Sequence, residues 1–215
     1  MKFNKSQIKQ IKNNKPFFIK DFYPNLISWK ELENLLNLRP FVNAQRFNPI
    51  PPETLQWNDT AWLTDLNCYP PNLLNEIINK KVCYISDGSR VNKKINDFCD
   101  YLENITKFPG DAHLYFSLNE KETDKKGFGI HKDTQNNVII ASEGSFIIQV
   151  FSKKEPGKKE KPLIEEEMKN GDAVYIPNQF YHCIKPLTKR LSVSFCVAPY
   201  VKIEYKQNRS WISLY

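Results

Sequence analysis

The sequence predicts a mainly β fold with flanking helices, in which a jelly-roll core follows an α+β N-terminal part. The first reason is that about eight short β-rich runs, separated by turn residues, follow Pro109-Gly110. The second is that these runs are closely spaced and have no helical segments between them. Such a pattern is typical of an antiparallel sandwich or barrel rather than of a parallel α/β sheet.

The runs expected to be strands are rich in β-branched and aromatic residues. They lie at 113–118, 127–131, 137–142, 145–151, 162–168, 173–177, 179–184 and 190–198. Gly144 and the pair Asn170-Gly171 mark tight turns between them. Strands joined by such short turns are expected to pair with their neighbours.

The part of the chain before residue 110 carries helical and irregular signals. The apolar spacing predicts helices over 28–38, with Ser28 as N-cap, over 72–79 and over 92–105. The Pro-rich segment 48–57 is expected to be an irregular loop. We therefore divide the chain into an N-terminal part (1–110) that packs on the core, a β core (111–200) and a C-terminal extension (201–215), all within one compact domain.

Composition and charge narrow the classes of protein. No apolar stretch is long enough for a membrane helix, and the basic N-terminus lacks the apolar segment of a secretory signal, so we expect a cytoplasmic protein with no membrane partner. Five cysteines without a CxxC pair favour free thiols. The net charge of +7 is weak support for a nucleic-acid partner, because its lysines are scattered and the run 153–161 is typical of a solvated loop.

Two of the three histidines stand in a pattern that suits a metal. His131 and Asp133 end a predicted strand, where positions i and i+2 point to the same side. His182 lies in a later strand, after a Gly-Asp-x-x-Tyr-Ile-Pro turn. Two histidines and one carboxylate form the facial triad of non-haem iron(II) oxygenases, which leaves open positions for a cosubstrate and dioxygen. A zinc hydrolase would use the same ligands, but no Glu or His stands beside them as a general base.

Residues 111–200 resemble the cupin-like, JmjC-type branch of the 2-oxoglutarate-dependent oxygenases. The stretches that carry the resemblance are AHLYFS, GFGIHKDTQNNVIIASEGSFIIQVF, MKNGDAVYIPNQFYHCIKPL and RLSVSFCVAP. The resemblance implies a double-stranded β-helix, Fe(II) held by His131, Asp133 and His182, and 2-oxoglutarate as cosubstrate. Hydroxylation is the default reaction of that group.

The cation that would bind the distal carboxylate of 2-oxoglutarate departs from the pattern of this branch. Many members carry Lys or Arg two residues after the hairpin glycine, where this chain has Phe146. Other 2-oxoglutarate oxygenases use an Arg-x-Ser, which Arg190 and Ser192 match on one face of a strand. A lysine stays open as the alternative anchor.

Three further residues are candidates for the same cavity. The resemblance implies that Tyr115 contacts the cosubstrate and that Asn137 lies near the metal-bound waters. His113, two residues before Tyr115, shares its face of the strand and is a candidate cavity-lining residue. Tyr115 and Asn137 could equally be core or hairpin residues, and His113 could be an ordinary buried histidine.

The sequence leaves the prime substrate and the oligomeric state open. An amino acid, another small molecule and a protein side chain all suit a compact oxygenase. Two other classes of protein also stay open: a cupin-type metal enzyme that does not use 2-oxoglutarate, and a non-catalytic cupin binding module. The presence of all three ligand residues argues against the second, and the scarcity of further histidines argues against the first.

Overall fold

A computed structural model describes residues 1–38, 46–50, 69–118, 129–157 and 159–199. The helices are α1 (Lys5–Lys12), α2 (Trp29–Leu36), α3 (Pro71–Lys80) and α4 (Lys93–Thr106). The strands are β1 (Phe17–Ile19), β2 (Phe47–Ile50), β3 (Val82–Ile85), β4 (Gly110–Ser117), β5 (His131–Lys132), β6 (Asn136–Glu143), β7 (Phe146–Val150), β8 (Ile164–Met168), β9 (Ala173–Ile176), β10 (Tyr181–Pro186) and β11 (Arg190–Val197).

The strands form two antiparallel sheets. The larger sheet has seven strands in the order β1-β9-β6-β11-β4-β3-β2, and the smaller has four in the order β5-β10-β7-β8. From β4 to β11 the chain switches repeatedly between the two sheets, as in a jelly roll, while β7 and β8 pair within the smaller sheet. The prediction of a mainly β, jelly-roll fold with flanking helices is confirmed.

The larger sheet is covered on both faces, which explains why most residues of its central strands are buried. One face packs on the helices around Phe98 and Phe195, whose ring centroids are 4.7 Å apart. The other face packs on the smaller sheet through a second apolar cluster that includes Ile139, Phe146 and Ile148. The smaller sheet turns its opposite face to solvent and carries three glutamates in a row on its edge strand β8.

The three helices expected from the sequence are present, and their caps explain their starts. Ser28 accepts a hydrogen bond from the Glu31 backbone and receives the Glu31 carboxylate on its own N–H, a complete capping box. Asn92 caps α4 in the same manner through the backbone N–H of Ile95. Pro71 opens α3 at a position where a missing N–H costs nothing.

The region before residue 110 contributes more regular structure than its sequence indicates. The prediction of an irregular loop over 48–57 is wrong for its first residues, because 48–50 belong to β2, and residues 51–57 lie outside the described residues. Pro49 is tolerated there because β2 is an edge strand. Strands β1, β2 and β3 all join the larger sheet, so one hydrophobic core extends from Phe3 to Val197.

Four cysteines are described and all are free thiols, as the composition indicates. Cys83, Cys99 and Cys183 are buried, whereas Cys196 is partly exposed. Cys68 and the predicted C-terminal extension 201–215 lie outside the described residues.

Among the helices of the described ranges, none has the length and apolar character needed to cross a membrane.

Candidate metal centre

The two histidines of the predicted triad come together because their strands pair. β5 and β10 are antiparallel neighbours, and His131 and His182 are direct partners in their register. Their ring centroids are 4.3 Å apart. His131 and His182 are thus far apart in sequence but in contact across neighbouring strands.

Both histidines direct Nε2 toward the site and Nδ1 toward a backbone carbonyl. The Nδ1 of His131 lies 3.1 Å from the carbonyl oxygen of Gly129, and the Nδ1 of His182 lies 3.2 Å from that of Phe180. A carbonyl only accepts hydrogen bonds, so each Nδ1 carries the proton and each Nε2 presents a lone pair. Backbone groups commonly orient metal-binding histidines in this way.

Asp133 completes the group from the loop after β5. Its backbone carbonyl accepts a hydrogen bond from the Gln179 N–H at 2.8 Å, which ties this loop to the start of β10. Its carboxylate lies 3.8 Å from the Nε2 of His131 and 3.6 Å from the Nε2 of His182. The candidate ligand atoms of His131, Asp133 and His182 lie within 4.8 Å of one another. Two imidazole nitrogens and one carboxylate oxygen are the donor set that suits iron(II) with open positions.

The protonation of His182 favours a metal ligand. Burial lowers its pKa, and the neighbouring His131 lowers it further, while Asp133 opposes both. The ring is therefore neutral at neutral pH, and its Nε2 lone pair is available without loss of a proton.

A cavity extends from the three residues into the space between the sheets. Its walls combine polar groups of β11 with apolar side chains of both sheets. The lining residues are Val82, Tyr115, Gly129, His131, Asp133, Ile139, His182, Ile184, Pro186, Arg190, Ser192 and Ser194. Arg190, Ser192 and Ser194 alternate along β11, so all three point inward.

Arg190 places a positive charge inside this cavity. Its side chain is 4% exposed, and burial lowers its pKa to about 10, which leaves the guanidinium protonated at neutral pH. Nη1 donates to the Ser192 hydroxyl at 3.1 Å, whereas Nε has no hydrogen-bond partner among the described residues. A buried donor without an acceptor is costly unless a ligand supplies one.

Phe146 lies beneath this guanidinium. The ring centroid is 5.2 Å from Cζ of Arg190, a cation–π distance. Phe146 belongs to β7 of the smaller sheet and Arg190 to β11 of the larger one, so the two residues meet between the sheets. Phe146, which stands where many members of the JmjC-type branch carry Lys or Arg, is therefore in contact with Arg190, the alternative cation.

The remaining candidates separate into two places. Tyr115 lines the cavity, and burial raises the pKa of its phenol, so the hydroxyl stays protonated. Asn137 is 3% exposed and donates to the Asp133 carboxylate at 2.6 Å. His113 instead lies in a neighbouring open groove together with Asp87, Asp111 and Gln135, where its ring stacks on Tyr84 at 5.9 Å.

Sequence reasoning missed the contribution of β3 to this region. Val82 lines the cavity, and Tyr84 stacks on both His113 and Tyr115. The run Val82–Ile85 is short and apolar, which is a weak strand signal beside a helix end.

Comparison with known proteins places this geometry in a family. The model of the JmjC domain matches residues 89–205, more than half of the chain. The chain belongs to the JmjC domain family. The resemblance to the JmjC-type branch seen in the sequence is thereby confirmed. No curated protein matches the sequence.

Solved structures share the fold of this JmjC chain. One is the ribosomal oxygenase YcfD from Escherichia coli, with TM-score 0.64, 17% identity, and coverage of 93% of this chain and 53% of that one. The same protein in complex with cobalt and 2-oxoglutarate has TM-score 0.61, 18% identity, and coverage of 87% and 49%. Its complex with cobalt and succinic acid has TM-score 0.60, 17% identity, and coverage of 91% and 49%. The chain thus spans about half the length of these structures.

Proposed function

We propose that this JmjC-family chain is an Fe(II)- and 2-oxoglutarate-dependent oxygenase that hydroxylates an amino acid, another small molecule or a protein side chain. The observation that carries the proposal is the presence, in one cavity, of three convergent metal-ligand atoms and a buried guanidinium with an unused donor. The first arrangement suits iron(II), and the second suits the carboxylate of a cosubstrate.

His131, Asp133 and His182 would hold the metal on one face and leave the opposite face open to the cavity. The carbonyls of Gly129 and Phe180 keep the two imidazoles in the ligand tautomer, so metal binding needs no rearrangement of the rings. When bound, iron(II) supplies the site at which 2-oxoglutarate and dioxygen react to give succinate, carbon dioxide and an oxygen atom for a C–H bond. The apolar walls around Ile139 and Ile184 limit the access of water to that site.

Arg190 and Ser192 would bind the distal carboxylate of 2-oxoglutarate. A guanidinium can donate two parallel hydrogen bonds to a carboxylate, and the Ser192 hydroxyl can add a third. The protonated phenol of Tyr115, on the adjacent strand β4, supplies another donor in the same cavity. Lys189 is a poor alternative, because its ammonium lies over the ring of Trp29 at 5.6 Å on the other side of the strand.

The prime substrate would approach along the groove that contains His113. Gln135, two residues after Asp133, belongs to that groove, so the groove borders the metal residues. A screen for succinate production should cover free amino acids and peptides. Peptides of ribosomal proteins belong in it, because the solved structures of similar fold are named ribosomal oxygenases.

Anaerobic titration with iron(II) and 2-oxoglutarate tests the proposed function. We expect the weak metal-to-ligand charge-transfer band of a chelated 2-oxo acid, and we expect His131→Ala to abolish it. Metal binding without such a band would favour a cupin enzyme that does not use 2-oxoglutarate. If the parent protein and His131→Ala behave alike, the metal site itself is refuted and a binding module is the better description.

Replacement of Arg190 tests the cosubstrate anchor separately. A hydrogen bond to a charged group contributes about 1.5–3 kcal/mol, so Arg190→Ala should weaken 2-oxoglutarate binding roughly ten- to hundredfold while iron binding changes little. Lys189→Ala is the matched control, since it removes a cation from the adjacent position outside the cavity. Equal affinity in the parent and Arg190→Ala would move the anchor to another cation.

A further inference from the structure

Asn137 connects the carboxylate of Asp133 to the larger sheet. Its side-chain amide donates to Oδ2 of Asp133 at 2.6 Å. Its own carbonyl oxygen accepts a hydrogen bond from the Ser194 hydroxyl at 3.5 Å. Asn137 lies on β6 and Ser194 on the adjacent strand β11, so the contact to Asp133 has a rigid base in the middle of the sheet.

The Asp133 carboxylate only accepts hydrogen bonds, so it requires the NH₂ end of the Asn137 amide, and the Ser194 contact is consistent with that orientation. A hydroxyl that donates to the carbonyl oxygen of Asn137 leaves the NH₂ group directed at Asp133. Both residues are buried, Asn137 at 3% and Ser194 at 5% exposure, so water competes little for these bonds. The amide therefore acts as a fixed donor to one carboxylate oxygen.

This hydrogen bond makes the two oxygens of Asp133 unequal. Oδ2 is engaged by Asn137 and lies 3.6 Å from the Nε2 of His182. Oδ1 lies 3.8 Å from the Nε2 of His131 and has no equivalent amide donor among the described contacts. A carboxylate held by one oxygen presents the other to a metal ion.

The number of oxygens that bind decides how many positions remain on an octahedral metal. Two histidines and one oxygen leave three positions, which is enough for a chelating 2-oxo acid and dioxygen. Two histidines and two oxygens would leave only two, and a chelating cosubstrate would fill both. Whether Asp133 binds the metal through one oxygen or two therefore decides whether a position is left for dioxygen.

We propose that Asn137 is a positioning residue that makes Asp133 a one-oxygen ligand and so preserves the third open position on the metal. The proposal rests on the proposed metal site but adds a role for a residue that does not bind the metal itself. Without Asn137, Oδ2 becomes free to turn toward the metal, and Asp133 chelates it.

Water-proton relaxation with bound manganese(II) tests the proposal, because the relaxivity follows the number of water molecules on the ion. In the parent protein, addition of 2-oxoglutarate should replace two of three waters and lower the inner-sphere relaxivity to about one third. In Asn137→Leu, the relaxivity without cosubstrate should be about two thirds of the parent value, and 2-oxoglutarate should remove nearly all of it. Manganese affinity should change by about ten- to hundredfold, as for other groups that orient ligands.

Two further variants make the result specific. Asn137→Ser keeps a buried polar group that is too short to reach Asp133, so it should behave like Asn137→Leu. If one of the two variants folds poorly, the other still tests the proposal. Asn136→Leu is the matched control, because Asn136 is also buried but accepts from the Asn178 N–H at 2.8 Å and does not contact Asp133. It should keep the parent relaxivity with and without cosubstrate.

The possible results separate this inference from the proposed function. Parent-like relaxivities in both Asn137 variants would overturn the positioning role while leaving the metal site intact. If manganese bound the parent no better than it bound His131→Ala, the proposed function would fail first. A loss of waters in the Asn137 variants, with no loss in Asn136→Leu, supports the one-oxygen role.

Discussion

Arg190 and Phe146 face each other from different sheets, with the ring centroid 5.2 Å from the guanidinium carbon. The contact implies that a cation placed at either residue could reach the same part of the cavity. We therefore predict that Arg190→Met weakens 2-oxoglutarate binding as Arg190→Ala does, and that the double variant Arg190→Met, Phe146→Arg recovers part of the lost affinity. Calorimetric titration of both metal-loaded variants is the measurement. Phe146→Arg alone should not raise the affinity for 2-oxoglutarate above that of the parent, since two buried cations repel each other.

His113 gives a prediction about pH at the same scale. Burial lowers its pKa below the ordinary value of 6.5, against the opposing pull of Asp111, Asp87 and Asp133. Between those two pKa values the unfolded chain binds a proton that the folded chain does not, so stability is complete above 6.5 and falls as the pH drops below it. The melting temperature of the metal-free protein should decline between about pH 7.5 and pH 5.5, and less steeply in His113→Gln. An identical decline in both would show that His113 is not responsible. Some decline should remain, because the pKa of His182 is lowered as well.

The turn between β6 and β7 carries a prediction at the scale of elements. Gly144 has φ +71°, and a Cβ there would lie 1.8 Å from the carbonyl oxygen of Lys189, in the turn before β11. Gly129 has φ +63° but open space around the Cβ position. Gly129→Ala should therefore cost only the backbone strain, about 1 kcal/mol, whereas Gly144→Ala should cost at least about twice that. Urea denaturation of both variants measures the difference, and equal losses would contradict the close contact between the two turns.

The elements also show what a sequence can and cannot reveal. Most strands of the core were predictable because they are short β-rich runs bounded by turn residues, and Ser28 was predicted as the N-cap of α2. Asn92 as the cap of α4 was not predicted. The candidate metal ligands His131 and Asp133 were predicted from their i, i+2 spacing, and His182 from its place after the Gly-Asp-x-x-Tyr-Ile-Pro turn. By contrast, β2 contains Pro49 and is held by pairing with β3, which is a tertiary contact that no local pattern encodes. The same holds for the contact of Phe146 with Arg190 and for the hydrogen bond from Asn137 to Asp133.

At the scale of the whole molecule, the residues before and after position 110 share one core. Phe3 stacks on Phe22 at 4.8 Å and contacts Phe98, which in turn packs on Phe195 of the central strand β11. We predict that unfolding in urea is a single transition, with coincident midpoints by far-ultraviolet circular dichroism and tryptophan fluorescence. Phe3→Ala should shift both midpoints together and cost about 3–5 kcal/mol. Two separate transitions, with only one moved by Phe3→Ala, would mean that the N-terminal part folds on its own.

The guanidinium of Arg190 also has a consequence for the stability of the folded protein. If Arg190 binds the cosubstrate as proposed, the folded state gains about 2.7 kcal/mol of stability when 2-oxoglutarate is present at a hundredfold excess over its dissociation constant. Succinate, the product of the proposed reaction, belongs to the same chemical class as the cosubstrate. The fraction of unfolded chains, and with it the rate of their degradation, would then follow the supply of central carbon metabolites.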